Sequence, residues 1–358
     1  MYDNLGRIHG KQGDFEQAKK HHQLALTIRL EKLGAKHVDV ATTYNNLASI
    51  HRKLGGFEQA KEYLQLALAI RLEKLSAKHV NVATTYNNLS LILEHLGDFE
   101  QAKEYYQSAL TTYLEKLGAE HVYVATTYNN LGTIHRKLGD FEQAKKYLQL
   151  ALAIRLEKLG AKHVDVATTY NNLSLIHEHL GDFEQAKEYL QLALAISREK
   201  LGDKHVDVAT TYDNLGRIHG KLGDFQQAKK HHQLALAIRL EKLGAKHVHV
   251  ATTYNNLGLI HQHLGDFEQA KEYYQSALTI YLEKLGAEHV YVTTTYDNLG
   301  TIHGKLGDFE QAKEYHQLAL AIRLEKLGAK HVDVAATYNN LSLIHEHLGD
   351  FEQAKEYL

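Results

Sequence analysis

Proline, cysteine and tryptophan are all missing from this 358-residue chain, and methionine occurs once. Without cysteine there is no disulfide framework, no thiolate metal site and no cysteine nucleophile; a reducing compartment, the cytoplasm, is compatible with that. An ordinary chain carries ~5% proline, so its complete loss means that other residues must end the helices and shape the turns. An excess of one charge is missing too, with 41 basic against 43 acidic residues. A nucleic-acid surface normally carries a basic excess, so no nucleic-acid partner is expected. No apolar run approaches the length of a bilayer span, and the start lacks a charged-then-apolar leader, so no membrane insertion is expected. Hydrophobic residues at 44% and charged residues at 23% are ordinary for a folded protein.

What the chain does have is a period. Phe15, Phe57, Phe99, Phe141, Phe183, Phe225, Phe267, Phe309 and Phe351 recur every 42 residues without an insertion or deletion, and Tyr2, Tyr44 and Tyr86 begin a series with the same step that runs to Tyr338. A fixed period of this length is the mark of stacked repeats rather than of separate domains. The chain therefore reads as one array over residues 1–358, eight repeats and a partial ninth.

Each repeat reads as two helices. In repeat two Tyr44, Leu47, Ala48, His51 and Leu54 fall at helical spacing on one stripe. Gly-Asp then follows in most repeats, as at Gly97-Asp98. Glycine suits the left-handed position that closes a helix, and the aspartate, with Gln101 three residues on, can cap the next one. Repeat two has Gly56 in place of the aspartate, so its second helix should start less firmly. Phe57, Ala60, Leu64, Ala67, Leu68 and Leu72 form the second apolar stripe. One hairpin cannot bury both of its faces, so neighbours must stack; the expected fold is all-α, a right-handed α-solenoid of antiparallel helix pairs.

The residues Tyr128, Leu131, Gly132, Gly139, Phe141, Ala144, Leu148 and Ala151 follow a pattern that resembles the tetratricopeptide motif, and the resemblance covers the whole chain. The repeat is longer than the common motif, and its connector, Lys158 to Ala167, is similar to that of kinesin light chains and nephrocystin-3-like repeat proteins. Those carry proline after the connector histidine; here Val38, Val80, Val122 and Val164 stand there, and Leu72 replaces the proline that ends the second helix. More mobile connectors and a longer second helix are expected. The resemblance implies a non-catalytic adaptor whose concave groove grips an extended peptide of a protein partner, with asparagines of the first helices holding the peptide backbone. The matching residues are Asn45, Asn87, Asn129, Asn171 and Asn255, each followed by a second asparagine such as Asn46, Asn88, Asn130 or Asn172. An amide offers donor and acceptor together, so a ladder of amides can pair a strand without reading its sequence. The alternative is that the second asparagine bonds the neighbouring helix. Asp3, Asp213 and Asp297 replace the first asparagine in three repeats and would repel an acidic peptide locally. A carboxylate clamp would need lysine where asparagine or aspartate stands; Arg7 and Arg217 lie one turn on without partner lysines.

Residues five, eight and nine after the tyrosine should face the same groove. Nine after, repeats two to nine alternate without fault: Lys53, His95, Lys137, His179, Lys221, His263, Lys305, His347. Eight after stand Arg52, Glu94, Arg136 and Glu178; five after, leucine recurs in alternate repeats at Leu91, Leu175 and Leu259. Two readings fit. One is a lateral salt-bridge ladder with Arg52 beside Glu94 and Arg136 between Glu94 and Glu178, worth ~0.2–1 kcal/mol per exposed pair. The other is a ligand groove with leucine sockets repeating every second unit.

Histidine is abundant at 26 residues, but no two stand three or four apart, so no helix offers a local chelating pair. His51, His135 and His177 hold a position that the family fills with a packed tyrosine, and their titration should loosen the fold near pH 5. No phosphate-binding glycine loop and no nucleophile beside a base occurs, so no enzyme, cofactor, metal site or small-molecule substrate is expected. Ser197-Arg198 replaces Arg-Leu, and Arg198 in the apolar stripe should weaken repeat five. The chain starts within a first helix and stops within a second without polar caps, which suggests a fragment of a longer protein or a partner over the ends. The missing part of such a protein would be a motor-recruiting coiled coil or a nucleotide-binding signalling domain.

Overall fold

The structure, a computed structural model, describes residues 2–357. Among them are eighteen helices and no strand. They cluster into two compact units, Met1–Gly181 and Asp182–Leu358. Within each unit every helix packs against the next in sequence, and the first helices of adjacent repeats also touch. No helix of the described residues is long and apolar enough to cross a membrane.

Repeat two shows how the sequence makes a hairpin. Its first helix, Val38–Lys53, begins at His37, whose Nδ1 accepts the Asp39 backbone N–H at 3.1 Å. His79, His121, His163, His205, His247, His289 and His331 cap the first helices of repeats three to nine in the same way. Valine is then the first helical residue, and the imidazole supplies the start signal that proline gives in the related motif. The second helix, Phe57–Lys74, runs past Leu72, as the missing proline predicts. In repeat three Gly97 closes the first helix at φ +85°, a conformation costly for any residue with a Cβ.

The second helices start on aspartate. Asp98 Oδ1 accepts the Gln101 N–H at 3.2 Å, and Asp140 does the same for Gln143. Asp140 also takes a bond from the preceding helix, through His135 Nδ1 at 3.1 Å to Oδ2, so one carboxylate joins both helices of the hairpin. The bond from the Gln143 N–H, with help from His135, holds the Asp140 carboxyl below its ordinary range. Gly56 offers no such side chain, as expected, and its helix starts on the backbone bond from Ala60 alone.

Alanine and leucine fill the space between the helices. Val40, Ala41, Leu47, Ala60 and Ala67 are fully enclosed and Leu64 nearly so, and each buried leucine contributes about 1.5–3 kcal/mol. Two expected stripe positions differ. Leu54 ends its helix half in solvent, and Leu72 is 41% exposed while its neighbour Arg71 is 5% exposed. Arg71 lies one turn beyond Ala67 and Leu68, and it turns toward the next repeat. The same shift corrects the reading of repeat five. Arg198 falls on the outward position, 49% exposed and 2.6 Å from Asp203, and disturbs nothing. Ser197 is the buried residue, so what repeat five lacks is an arginine.

Candidate functional site

The asparagine pairs form a ladder between repeats. Asn88 Nδ2 donates to Asn45 Oδ1 at 2.9 Å, Asn172 to Asn129 at 3.1 Å and Asn298 to Asn255 at 3.2 Å. In each rung the second asparagine of one repeat bonds the first of the repeat before. Asn46 and Asn256 reach Asp3 and Asp213 in the same manner. The second asparagine therefore bonds the neighbouring helix, one of the two expected roles. Asn171 Nδ2 donates to the Ala167 carbonyl at 3.2 Å, the buried Asn87 Oδ1 has no hydrogen bond among the described residues, and Asn130 sits beside the Tyr106 hydroxyl.

Below the ladder a second set of contacts locks the second helices that carry an arginine to the following first helix. Arg71 Nη1 donates to Thr85 Oγ1 at 2.6 Å and to the Asn81 carbonyl at 2.9 Å; Arg155 does so to Thr169 and Asp165, and also reaches Asn129 Oδ1 at 3.3 Å. Burial pushes both guanidinium groups down in pKa. Where aspartate replaces the first asparagine, the set becomes a buried charged network. Asp213 accepts from His232 Nδ1 at 2.7 Å and from Arg239 Nη1 at 3.1 Å, with His232 only 1% exposed. Burial pushes the Asp213 carboxyl up, but the bond from His232 and the Arg239 charge outweigh it and hold the pKa at about 2. Asp3 with His22 and Arg29, and Asp297 with His316 and Arg323, repeat the arrangement.

These networks were not anticipated from sequence, although the signal was there. The three repeats with aspartate are the three that carry histidine twenty residues after the tyrosine and glycine eight after it, at Gly10, Gly220 and Gly304. The histidine ring needs a second small residue. A Cβ on Gly216 would stand 2.7 Å from the His232 ring, and Gly6 and Gly300 meet His22 and His316 equally closely.

The faces of adjacent first helices enclose clefts. One, of about 180 Å³, is lined by Asn45, Asn46, Ser49, Arg52, Asn88 and Leu91. Two others are equivalent to each other, one in each compact unit. Arg7, Gly10, Lys11, His22, Asn46 and Lys53 line a cleft of about 230 Å³. Arg217, Gly220, Lys221, His232, Asn256 and Leu259 line one of about 100 Å³. Residues five, eight and nine after the tyrosine line these clefts. Leu175 lies half-buried at the same register.

The alternation nine after the tyrosine has a structural partner. His95 stacks on Phe57 with ring centres 4.5 Å apart, His179 on Phe141 and His263 on Phe225 likewise, and Lys137 Nζ sits 4.9 Å over the Phe99 ring. Histidine and lysine are alternative lids for the phenylalanine of the preceding repeat. In the salt-bridge ladder Arg136 acts on Glu94, as read in the sequence, and the lysine of the next repeat does so too. Glu94 Oε1 lies 3.8 Å from Lys137 Nζ, so the lysine of the next repeat, and not Arg52, forms the ion pair. Burial raises the Glu94 pKa against the pull of Lys137 and Arg136. Arg52 lies half-buried near Tyr106, and Arg136 is half-buried at the same register.

Helical hairpins stacked in a fixed register, with amide ladders between their first helices, define an α-helical repeat protein. The chain belongs to the tetratricopeptide repeat family, whose description matches residues 1–73, 81–157, 165–241, 249–325 and 291–358, and again 129–199. Among solved structures it is similar to BtubC (BKLC) from P. vanneervenii, at 24% identity and TM-score 0.52, over 63% of this chain and 87% of that one. It is similar to a putative kinesin light chain with nearly identical TPR-like repeats from Podosopora anserina, at 21% identity and TM-score 0.49, over 58% of this chain and 99% of that one. The apo form of the quorum sensor NprR from B. thuringiensis matches with TM-score 0.68 at 15% identity, over 90% of this chain and 86% of that one. A search of curated protein sequences gave no match. No enzyme family is indicated by any of these matches.

Proposed function

We propose that this chain is a non-catalytic interaction module that holds an extended segment of a protein partner along the clefts of its first helices, an adaptor of the kind that the kinesin light chain resemblance implies. The observation that carries the reading is the cleft between repeats two and three. The rung from Asn88 Nδ2 to Asn45 Oδ1 leaves Asn45 Nδ2 and Asn88 Oδ1, one donor and one acceptor, at a cleft also lined by Leu91. A strand has that pair of needs at every second residue, and an apolar side chain of the guest can enter beside the leucine. Asn129, Asn171, Asn255, Arg52, Lys53, Arg136 and Lys137 belong to the same proposed surface. We propose a single array over both compact units, because the 42-residue register passes Gly181 without a break. A cysteine-free chain fits a cytoplasmic setting.

The test is a peptide array followed by solution binding to the full chain. The expected result is selection of a linear motif, lost on Leu91→Ser, Leu175→Ser and Leu259→Ser together, with helicity by circular dichroism unchanged. Affinity that survives the triple replacement sinks the reading.

A further inference from the structure

We infer that the two clefts at Gly10 and Gly220 are sockets for a tyrosine side chain of the bound segment, its ring against the glycine and its hydroxyl donating to His22 or His232. This rests on the groove reading above and adds the residue that the guest must carry.

Each of these histidines has a nitrogen without a partner. His22 and His232 are 2% and 1% exposed, and each donates from Nδ1 to an aspartate carboxylate at 2.7 Å. A carboxylate only accepts, so Nδ1 carries the proton, and in the neutral ring Nε2 is left as an acceptor. The far edge of the ring, with Nε2, lies over Gly6 or Gly216, and the ring lines the cleft. Nε2 makes no hydrogen bond among the described residues. A buried acceptor turned to a cleft calls for a donor from outside the chain.

The space in front of that nitrogen is kept open. Among the repeats with lysine nine after the tyrosine, two and four have Arg52 or Arg136 just before it and Leu64 or Leu148 on the second helix. Repeats one, six and eight have Gly10, Gly220 or Gly304 there, with His22, His232 or His316 on the second helix. Arginine is thus absent wherever the histidine is present. The histidine ring does not demand that exchange, because the glycine it touches is Gly6 or Gly216. A Cβ on Gly10 would meet only Ile50 Cδ1 at 3.4 Å and Ala18 at 3.9 Å, and one on Gly220 would meet the same flexible end of Ile260 at 3.2 Å. Glycine destabilises a helix interior, so its recurrence here goes with the open cleft rather than with packing.

The walls select the guest. Phe15 and Ile50 line the cleft with Gly10, and Phe225 and Ile260 line the one with Gly220, so each offers an apolar side to a ring. Lys11 and Lys53 line the first cleft and Lys221 the second, and lysine only donates. A phenol meets all three needs, with a ring for the apolar wall, a proton for Nε2 and an oxygen for the lysine. Phenylalanine lacks the donor, tryptophan lacks the acceptor and serine lacks the ring.

The experiment measures fluorescence anisotropy of the full chain with labelled pools of short peptides. The flanks are random but free of aromatic residues, and the centre is fixed as tyrosine, phenylalanine, tryptophan or serine. The tyrosine pool should bind roughly ten-fold more tightly, or better, than each of the others, because a site that bonds a hydroxyl rejects a guest without one. Repeat eight carries the same residues, so the variants change all three repeats. The first combines Asp3→Asn, Asp213→Asn and Asp297→Asn with His22→Leu, His232→Leu and His316→Leu, which copies the Asn129 and Leu148 pair of repeat four. It should bring the tyrosine pool down to the phenylalanine level. The second, Gly10→Arg with Gly220→Arg and Gly304→Arg, copies Arg52 and should weaken both pools by closing the clefts. Circular dichroism checks that each variant is folded. Any other pool that equals the tyrosine pool overturns the inference, as does a tyrosine preference that persists in either folded variant. Binding of all pools alike leaves the groove reading standing and this one refuted; no binding by any pool defeats both.

Discussion

Asparagine and aspartate differ by one group, and here that group decides what the second helix must carry. Asn129 accepts from Asn172 and Arg155 and tolerates Leu148 nearby; Asp213, at the same register, is accompanied by His232. A buried carboxylate needs more donors than an amide oxygen does, because each unmatched lone pair carries the cost of lost hydration. Asp213→Asn should therefore cost about 1–3 kcal/mol by leaving the His232 and Arg239 donors poorly matched. Adding His232→Leu should recover most of that loss, since Asn with Leu is the native pair of repeat four and Gly132 accompanies it as Gly216 would. Urea unfolding of the single and double variants decides the matter; strictly additive losses would exclude the coupling. The Asp213 pKa is lowered to about 2, so its contribution is fully present above the ordinary value of 3.8 and fades as the pH falls toward 2. The penalty of the single variant should shrink over that window.

At the scale of the helix the start and stop signals were largely readable. Gly97 and Asp98 do what their residue types allow, and the second helices run on past the lost proline. The histidine caps were not readable, because histidine ranks outside the usual N-cap residues and only the folded geometry shows Nδ1 over the Asp39 N–H. Repeat two tests the value of a cap directly. Gly56 has φ −84°, which any residue adopts, and His51 Nδ1 lies 3.3 Å from where a Cβ would be. Gly56→Asp should restore the cap of the Gln59 N–H and the bond to His51 that His135 makes with Asp140. A gain of about 1 kcal/mol is expected, read from the urea midpoint. An unchanged or lower midpoint would show that the cap is not limiting there.

Over the whole molecule a few half-buried histidines act together on the stability. Burial lowers the pKa of His51, His95, His219 and His249, and burial together with His219 and Lys230 lowers that of His231 to about 4. The fold therefore keeps these rings neutral, while the unfolded chain binds protons below about 6.5. Their contribution is complete above that pH and is lost as the pH falls from 6.5 toward 4. The melting midpoint should drop by several degrees between pH 7.5 and pH 5. His231→Tyr, which installs the residue of Tyr63 and Tyr105 at this register, should make that drop smaller. A midpoint equal at both pH values would contradict the sign argued here.

The sequence by itself determined the repeat, its two helices, the aspartate caps of the second helices and the family, because each of those is written in spacings of a few residues or in a period that repeats without interruption. The tertiary structure decided which side chains meet. Asp213, His232 and Arg239 are spread over two helices, and Glu94 and Lys137 lie in different repeats. With repeats so nearly alike, local sequence does not tell a residue which neighbour it will face. Stacking does, because only then do buried charges have to find partners out of reach of water.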